Sequence, residues 1–69
     1  MKDKDIKNFL NKLKEETKFS GLNQYPIEIT DLGKELGLTE EISLEIADYL
    51  VKSGIAEYKA IGNTMIQLK

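Results

Sequence analysis

The 69-residue sequence predicts an α+β domain of three helices and a small three-stranded antiparallel sheet, in the order α-β-α-α-β-β. Two observations lead to this prediction. Gly37 and Gly54 bracket one amphipathic helical pattern, and a shorter helical pattern precedes it. Alternating apolar and polar side chains flank the turn signal Gly62-Asn63, as in a β-hairpin. The length suits one modest core, so we expect residues 1–69 to form a single domain, for which dimerisation is an option.

The first helix is expected from about Lys4 to Lys18, with Asp3 or Asp5 as its N-cap. Its apolar residues recur at i, i+3, i+4 and i+7 and form one stripe: Ile6, Phe9, Leu10 and Leu13. The opposite face carries a row of basic and amide side chains, with Glu15 beside it: Lys4, Lys7, Asn11, Lys14 and Lys18. This face is either a solvated helix surface or a binding surface, and the pattern leaves both open.

A short strand and a short helix are predicted next. Residues 27–29 alternate apolar and polar side chains, which is typical of a short strand but also compatible with an extended connector. Thr30 or Asp31 is placed to cap the short helix, which carries Leu32 and Leu36 on its apolar side. The first of the two bracketing glycines then supplies the turn.

The longer helix is expected from about Glu40 to Lys52, with Thr39 as its N-cap. Four residues are predicted to face the core: Ile42, Ile46, Tyr49 and Leu50. Another side of the helix carries Glu41, Glu45, Asp48 and Lys52. Three further apolar residues exceed what the core requires: Leu44, Ala47 and Val51. Either the core contacts this helix on two sides, or Leu44 and Val51, with Ile61 and Met65 as additions, form an exposed patch for another protein.

The hairpin has two possible registers. A two-residue loop would mix charged and aliphatic side chains on one face, whereas a three-residue loop over residues 61–63 separates them. The second register is preferred, with Asn63 in the left-handed conformation. Its predicted pairs are Ala56 with Leu68, Glu57 with Gln67 and Tyr58 with Ile66.

Together these patterns resemble one known family. The sequence ITDLGKELGLTEE of residues 29–41, followed by YLVKSGI of residues 49–55 and a hairpin, resembles the winged helix-turn-helix superfamily. The resemblance covers the chain from Tyr25 to the C-terminus. It implies that the longer helix is a recognition helix, that the hairpin is a wing, and that the protein is a transcription-regulator-like module binding double-stranded DNA. The contacts it implies are Lys34, Thr39, Ser43 and Lys59, with lysines of the first helix as additional phosphate contacts.

The charge distribution raises an alternative function. Residues 1–19 hold six lysines and four acidic residues, residues 20–58 hold two and eight, and residues 59–69 hold two and none. The segment that would read DNA is therefore the acidic one, and the chain contains no arginine, the residue that most often reads guanine. The alternative is a protein-interaction domain that docks a basic partner or a second copy of itself. The residues expected at that interface are Glu41, Leu44, Glu45, Asp48 and Val51.

Catalytic chemistry is not expected. The chain has no Cys and no His, which excludes thiol nucleophiles, imidazole catalysis and the usual zinc ligand sets. It has no glycine-rich phosphate loop, and the neighbouring carboxylates Glu15-Glu16 and Glu40-Glu41 point about 100° apart on a helix. We therefore predict a non-enzyme without cofactor or metal. The charged N-terminus and the lack of a long apolar run predict a soluble, cytoplasmic protein without membrane contact.

Overall fold

The computed structural model describes residues 2–19, 26–59, 62 and 64–69. Its elements are α1 (Asp3–Phe19), β1 (Ile27–Glu28), α2 (Ile29–Glu35), α3 (Glu40–Lys52), β2 (Ala56–Tyr58) and β3 (Met65–Leu68). The three strands form one antiparallel sheet in the order β1-β3-β2. The predicted α+β class and the order α-β-α-α-β-β are confirmed.

The sheet adopts the predicted hairpin register. The cross-strand pairs are Ala56 with Leu68, Glu57 with Gln67 and Tyr58 with Ile66. The backbone N–H of Lys59 donates to the carbonyl of Met65 at 3.1 Å, which continues the pairing toward the turn. Within that turn Gly62 has a positive φ of 81°. The positions predicted for Ile61 and Asn63 lie outside the described residues.

The strand predicted over residues 27–29 forms only in its first two residues. Ile27 pairs with Ile66 of β3, and Ile29 is already the first residue of α2. The N–H of Ile29 donates to the carbonyl of Thr64 at 3.0 Å, and the Ile29 side chain is buried. Ile29 thus donates its N–H to the segment leading into β3 and begins α2 with its side chain in the core. The helix therefore follows the strand without a linker.

This direct transition overturns the predicted cap of α2. Thr30 and Asp31 lie in the first turn of the helix, and the N-cap position belongs to Glu28, whose side chain makes no capping hydrogen bond. The Thr30 hydroxyl instead donates to Oε1 of Glu28 at 3.2 Å. The prediction for α3 is confirmed, because Oγ1 of Thr39 accepts a hydrogen bond from the N–H of Ile42 at 3.2 Å.

The two bracketing glycines end α2 and α3 in the same way. Gly37 and Gly54 have positive φ values of 75° and 79°, a conformation that side-chain-bearing residues rarely adopt. In each case the glycine and the residue after it donate their N–H groups to carbonyls of the last helical turn, the pattern of a Schellman motif. The bonds are Leu38 to Gly33, Gly37 to Lys34, Ile55 to Leu50 and Gly54 to Val51, at 2.8–3.1 Å.

The core is formed by apolar residues from all three helices and two strands. Its buried members are Phe9, Leu13, Ile29, Leu32, Ile46, Ala47, Leu50, Ala56 and Ile66. Two assignments for α3 were wrong: Ala47 is buried, although it was counted as surplus, and Tyr49 is 46% exposed, although it was assigned to the core. Because α3 packs between α2 on one side and β2 on another, its buried side is centred closer to Ala47 than the sequence pattern indicates.

A close approach between α2 and α3 sets this orientation. Gly33 of α2 lies against Ser43 of α3, and a Cβ atom at position 33 would overlap the Ser43 side chain. The Ser43 hydroxyl is buried, and it donates to the carbonyl of Thr39 at 2.8 Å, so its hydrogen-bonding need is met inside the helix. The pair therefore works as a packing contact that draws the Ser43 side of α3 inward.

Candidate functional site

The residues predicted to contact nucleic acid are placed in different environments. Ser43 is fully buried between α2 and α3 and cannot reach a ligand, which corrects its assignment as a contact. Lys34 and Thr39 are exposed on either side of the turn that joins the two helices. Lys59 is exposed, but its ammonium group pairs with Oε1 of Glu57 at 3.0 Å. Within the described residues, Lys34 is therefore the one member of the set that offers an unpaired cation.

The residues predicted to bind a protein partner lie mostly on the solvent side of α3. Glu41 and Glu45 are exposed, Leu44 is 41% exposed, and Asp48 is half-buried. Val51 is the exception, because it is half-buried and packs against the core. The core contact of Val51 explains why this residue exceeds what one core-facing stripe requires, and its role in docking stays a prediction.

The sequence assignment missed Tyr49 as a surface residue. Tyr49 lines an open groove with four polar neighbours: Glu45, Asp48, Lys52 and Ser53. Together with the residues above it defines what we call the α3 outward face: Glu41, Leu44, Glu45, Asp48, Tyr49 and Lys52. Carboxylates run along the middle of this face, and the two large apolar side chains lie on its opposite edges. Helical periodicity alone could not reveal Tyr49, because apolar residues cover more than half of the helix circumference.

One carboxylate of this face is held by two neighbours. Oδ2 of Asp48 lies 2.9 Å from the Lys52 ammonium group, and Oδ1 accepts a hydrogen bond from the Tyr58 hydroxyl at 3.3 Å. The hydrogen bond from Lys52 is the main cause that lowers the pKa of Asp48, and the same bond raises the pKa of Lys52. Partial burial raises the pKa of Tyr58, and the negative charge of Asp48 adds to this effect. Asp48 thus connects α3 to β2, whereas Glu41 and Glu45 remain without an ion pair among the described residues.

The hairpin offers little free positive charge near α3. The Glu57 carboxylate accepts a hydrogen bond from the Gln67 amide at 3.0 Å and also pairs with Lys59. The Lys59 contact is the main cause that lowers the pKa of Glu57, with the Gln67 bond second. Because Lys59, which directly follows β2, pairs with Glu57, it is not directed toward the carboxylates of the helix.

The α3 helix carries a negative net charge. The helix contains four acidic residues, Glu40, Glu41, Glu45 and Asp48, and one lysine, Lys52, for a net charge of −3. A surface of this sign repels phosphates and attracts cationic groups. Within the described residues no group of three or more acidic side chains is arranged to hold a metal ion. No helix there is both long enough and apolar enough to span a bilayer.

The arrangement of three helices and a three-stranded antiparallel sheet is compatible with a winged-helix-like fold. The chain matches no protein-family model, and neither a curated protein nor a solved structure matches it significantly.

Proposed function

We propose that this chain is a winged-helix-like module that binds a basic protein surface through the α3 outward face. The single observation that carries the proposal is the composition of that face. Glu41 and Glu45 are exposed, form no ion pair with any described residue, and lie between two exposed apolar residues, Leu44 and Tyr49. In a DNA-binding relative of this fold the corresponding helix would face phosphates and base edges, for which this surface has the wrong charge.

The chemistry of the face suits a lysine-rich partner. A lysine side chain covers apolar carbon with its methylene stem while its ammonium group reaches a neighbouring carboxylate. Leu44 and Tyr49 offer the apolar carbon, and Glu41 and Glu45 offer the carboxylates. Tyrosine is also enriched at the centres of protein interfaces, where its ring contributes area at low cost in conformational entropy.

DNA binding, which the sequence resemblance implies, is the competing function. Non-specific DNA affinity is almost entirely electrostatic, so a recognition helix with a net charge of −3 lacks its main source. Of the contacts expected for that function, Ser43 is buried and Lys59 is paired with Glu57. Lys34 and Thr39 remain accessible, and a bound duplex would be expected to shift their amide signals first.

The proposal is tested by titrating the ¹⁵N-labelled chain with a synthetic amphipathic helical peptide of lysine and leucine. We expect amide shifts to concentrate on residues 41–53, with affinity falling as salt is added. Leu44→Ser and Glu45→Gln should each weaken binding several-fold. The matched control, Asp31→Asn, removes an exposed carboxylate from α2 and should leave binding unchanged. Absence of peptide binding, or equal weakening in the control, would overturn the proposal.

A further inference from the structure

We infer that the basic surface recognised by the α3 outward face is the lysine-bearing face of α1 on a second copy of this chain. The inference rests on the proposed function and adds the identity of the partner. Three features support it: the opposite charges of two surfaces that the same chain carries, their matching spacing, and the apolar side chains beside them.

The α1 surface has a free set of cations. Lys4, Lys7 and Lys14 are exposed and lie on the side of α1 opposite the buried Phe9 and Leu13. Within the described part of the chain none of the three lysines takes part in an ion pair.

Lys12, on the flank of α1 between that face and the core, is by contrast already engaged. Its ammonium group lies 3.7 Å from carboxylate oxygens of both Glu16 and Glu35. The charges of α1 that remain available for another molecule are therefore those of its outermost face.

The two faces share one spacing. Lys7, Asn11 and Lys14 follow each other at i, i+4 and i+7, and so do Glu41, Glu45 and Asp48. At a rise of about 1.5 Å per residue, the outer members of each set are about 10.5 Å apart along their helices. An antiparallel arrangement aligns the helix dipoles favourably and places Lys14 near Glu41 and Lys7 near Asp48.

Apolar side chains lie beside both sets of charges. Leu44 and Tyr49 are exposed on α3, and Leu10 of α1 is half-buried next to the lysines. Contact between the two helices would cover these side chains with each other and with lysine stems. One helix face against another makes a small interface, so the association is expected to be transient and sensitive to salt.

The first test is a dilution series of the unmodified ¹⁵N-labelled chain at low ionic strength, from about 1 mM to about 20 μM, a range that detects weak dimers. We expect amides of α1 near Lys7 and Lys14 to shift together with amides near Glu41 and Glu45. Added salt should reproduce the spectrum of the dilute sample. Spectra that do not change with concentration would overturn the inference.

The second test exchanges the charges between the two faces. One variant carries Lys7→Glu and Lys14→Glu, and the other carries Glu41→Lys and Glu45→Lys. Each variant alone presents like charges on both faces and should not self-associate. A mixture of the two should associate at least about tenfold more tightly than either alone. In the mixture the α1 lysines of the second variant meet the unchanged α3 carboxylates of the first, and the reversed contact between positions 14 and 41 is attractive again.

A matched mixture separates specific contact from general attraction between oppositely charged proteins. Here a variant with Lys2→Glu and Lys34→Glu replaces the first variant. It has the same net charge, but its two changed lysines are exposed and lie away from the lysine-bearing face of α1. This mixture should show no such gain. Equal gain in both mixtures would overturn the second-copy inference. The proposed function would still stand or fall separately, on binding of the lysine–leucine peptide.

Discussion

Gly33 lies where α2 packs so closely against α3 that a side chain would not fit. In an exposed helix, replacing glycine by alanine stabilises by about 1 kcal/mol through helix propensity. Here the added Cβ would overlap the side chain of Ser43, which is itself buried and bonded to its own helix. The free-energy cost of displacing α3 should therefore exceed the stabilisation gained from helix propensity.

We predict that Gly33→Ala lowers the free energy of unfolding by about 1–3 kcal/mol, the usual range for overpacking. Urea denaturation monitored by circular dichroism measures the change. The adjacent Lys34→Ala is the control, because that side chain is exposed and should change the free energy by less than about 0.5 kcal/mol. A Gly33→Ala protein at least as stable as the unmodified chain would show that the α2–α3 contact is looser than described.

Two threonines near helix starts offer a second test at single residues. Thr39 accepts a hydrogen bond from the N–H of Ile42, whereas Thr30 lies inside the first turn of α2 and bonds to Glu28. We predict that Thr39→Ala lowers the free energy of unfolding by about 1 kcal/mol and that Thr30→Ala has a clearly smaller effect. Chemical denaturation of both variants decides the matter. Equal losses would mean that the cap distinction is wrong.

The sequence could locate these residues but not rank them. Thr30 and Thr39 each precede a helical pattern, so local signals make both acceptable caps. What separates them is Ile29, whose buried side chain and bond to Thr64 start α2 earlier than its polar residues indicate. That contact joins residues 35 positions apart, and no local pattern carries it.

At the scale of elements, the contact between α3 and β2 depends on Asp48. Lys52 is the main cause of its lowered pKa, and Tyr58 contributes from β2. We predict that Lys52→Ala raises the pKa of Asp48 toward the ordinary aspartate value and leaves that of Glu57 unchanged. The control is Lys59→Ala, which should raise the pKa of Glu57 and not that of Asp48. Carboxyl carbon shifts in a pH titration measure both, and an Asp48 titration insensitive to Lys52 would contradict the ion pair.

The same contact predicts how stability changes at both ends of the pH range. The folded-state pKa of Asp48 is lowered, so its contribution is present above the unfolded-state pKa and is lost as pH falls through the folded-state pKa. The pKa of Tyr58 is raised, so its contribution is present below the unfolded-state value and is lost as pH rises through the folded-state value.

We therefore expect the stability of the unmodified chain to fall more steeply above about pH 10 than that of Tyr58→Phe, which cannot ionise. Denaturation midpoints at several alkaline pH values provide the measurement. Parallel pH profiles of the two proteins would argue against coupling between Tyr58 and Asp48.

The limits of α3 could be predicted from the sequence, but its rotation could not. Thr39 at one end and Gly54 at the other mark the helix through cap chemistry that is local to the chain. The buried side is decided by the neighbours of the helix, above all by the Gly33–Ser43 contact. For this reason Tyr49 was assigned to the core and Ser43 to the surface, and both assignments were wrong.

For the whole molecule, the charge distribution decides what the fold can bind. If α3 occupies the position of a recognition helix, its carboxylates should oppose binding to DNA. We predict that Glu41→Lys combined with Glu45→Lys creates salt-dependent affinity for duplex DNA that the unmodified chain lacks. The control is Glu28→Lys with Asp31→Lys, which changes net charge equally at exposed positions outside α3 and should give a much weaker effect. Fluorescence anisotropy of a labelled duplex measures both.

The register of the hairpin shows what long-range order the sequence does contain. Placing Tyr58 opposite Ile66 follows from keeping apolar and charged side chains on separate faces, and the sheet adopts that pairing. The candidate site was predictable in part, because Glu41, Glu45 and Leu44 fall on one side of a well-delimited helix. The partial burial of Val51 could not be predicted, because it depends on how the core surrounds that helix.

The proposed function requires that the α3 outward face bind protein and not DNA. Titration of the unmodified ¹⁵N-labelled chain with duplex DNA at about 50 mM salt, where electrostatic binding is strong, tests this requirement. We predict that the amides of Glu41, Glu45 and Tyr49 keep their chemical shifts throughout the titration. Progressive shifts of these amides that disappear as the salt concentration is raised would contradict the claim and identify α3 as a DNA-reading helix.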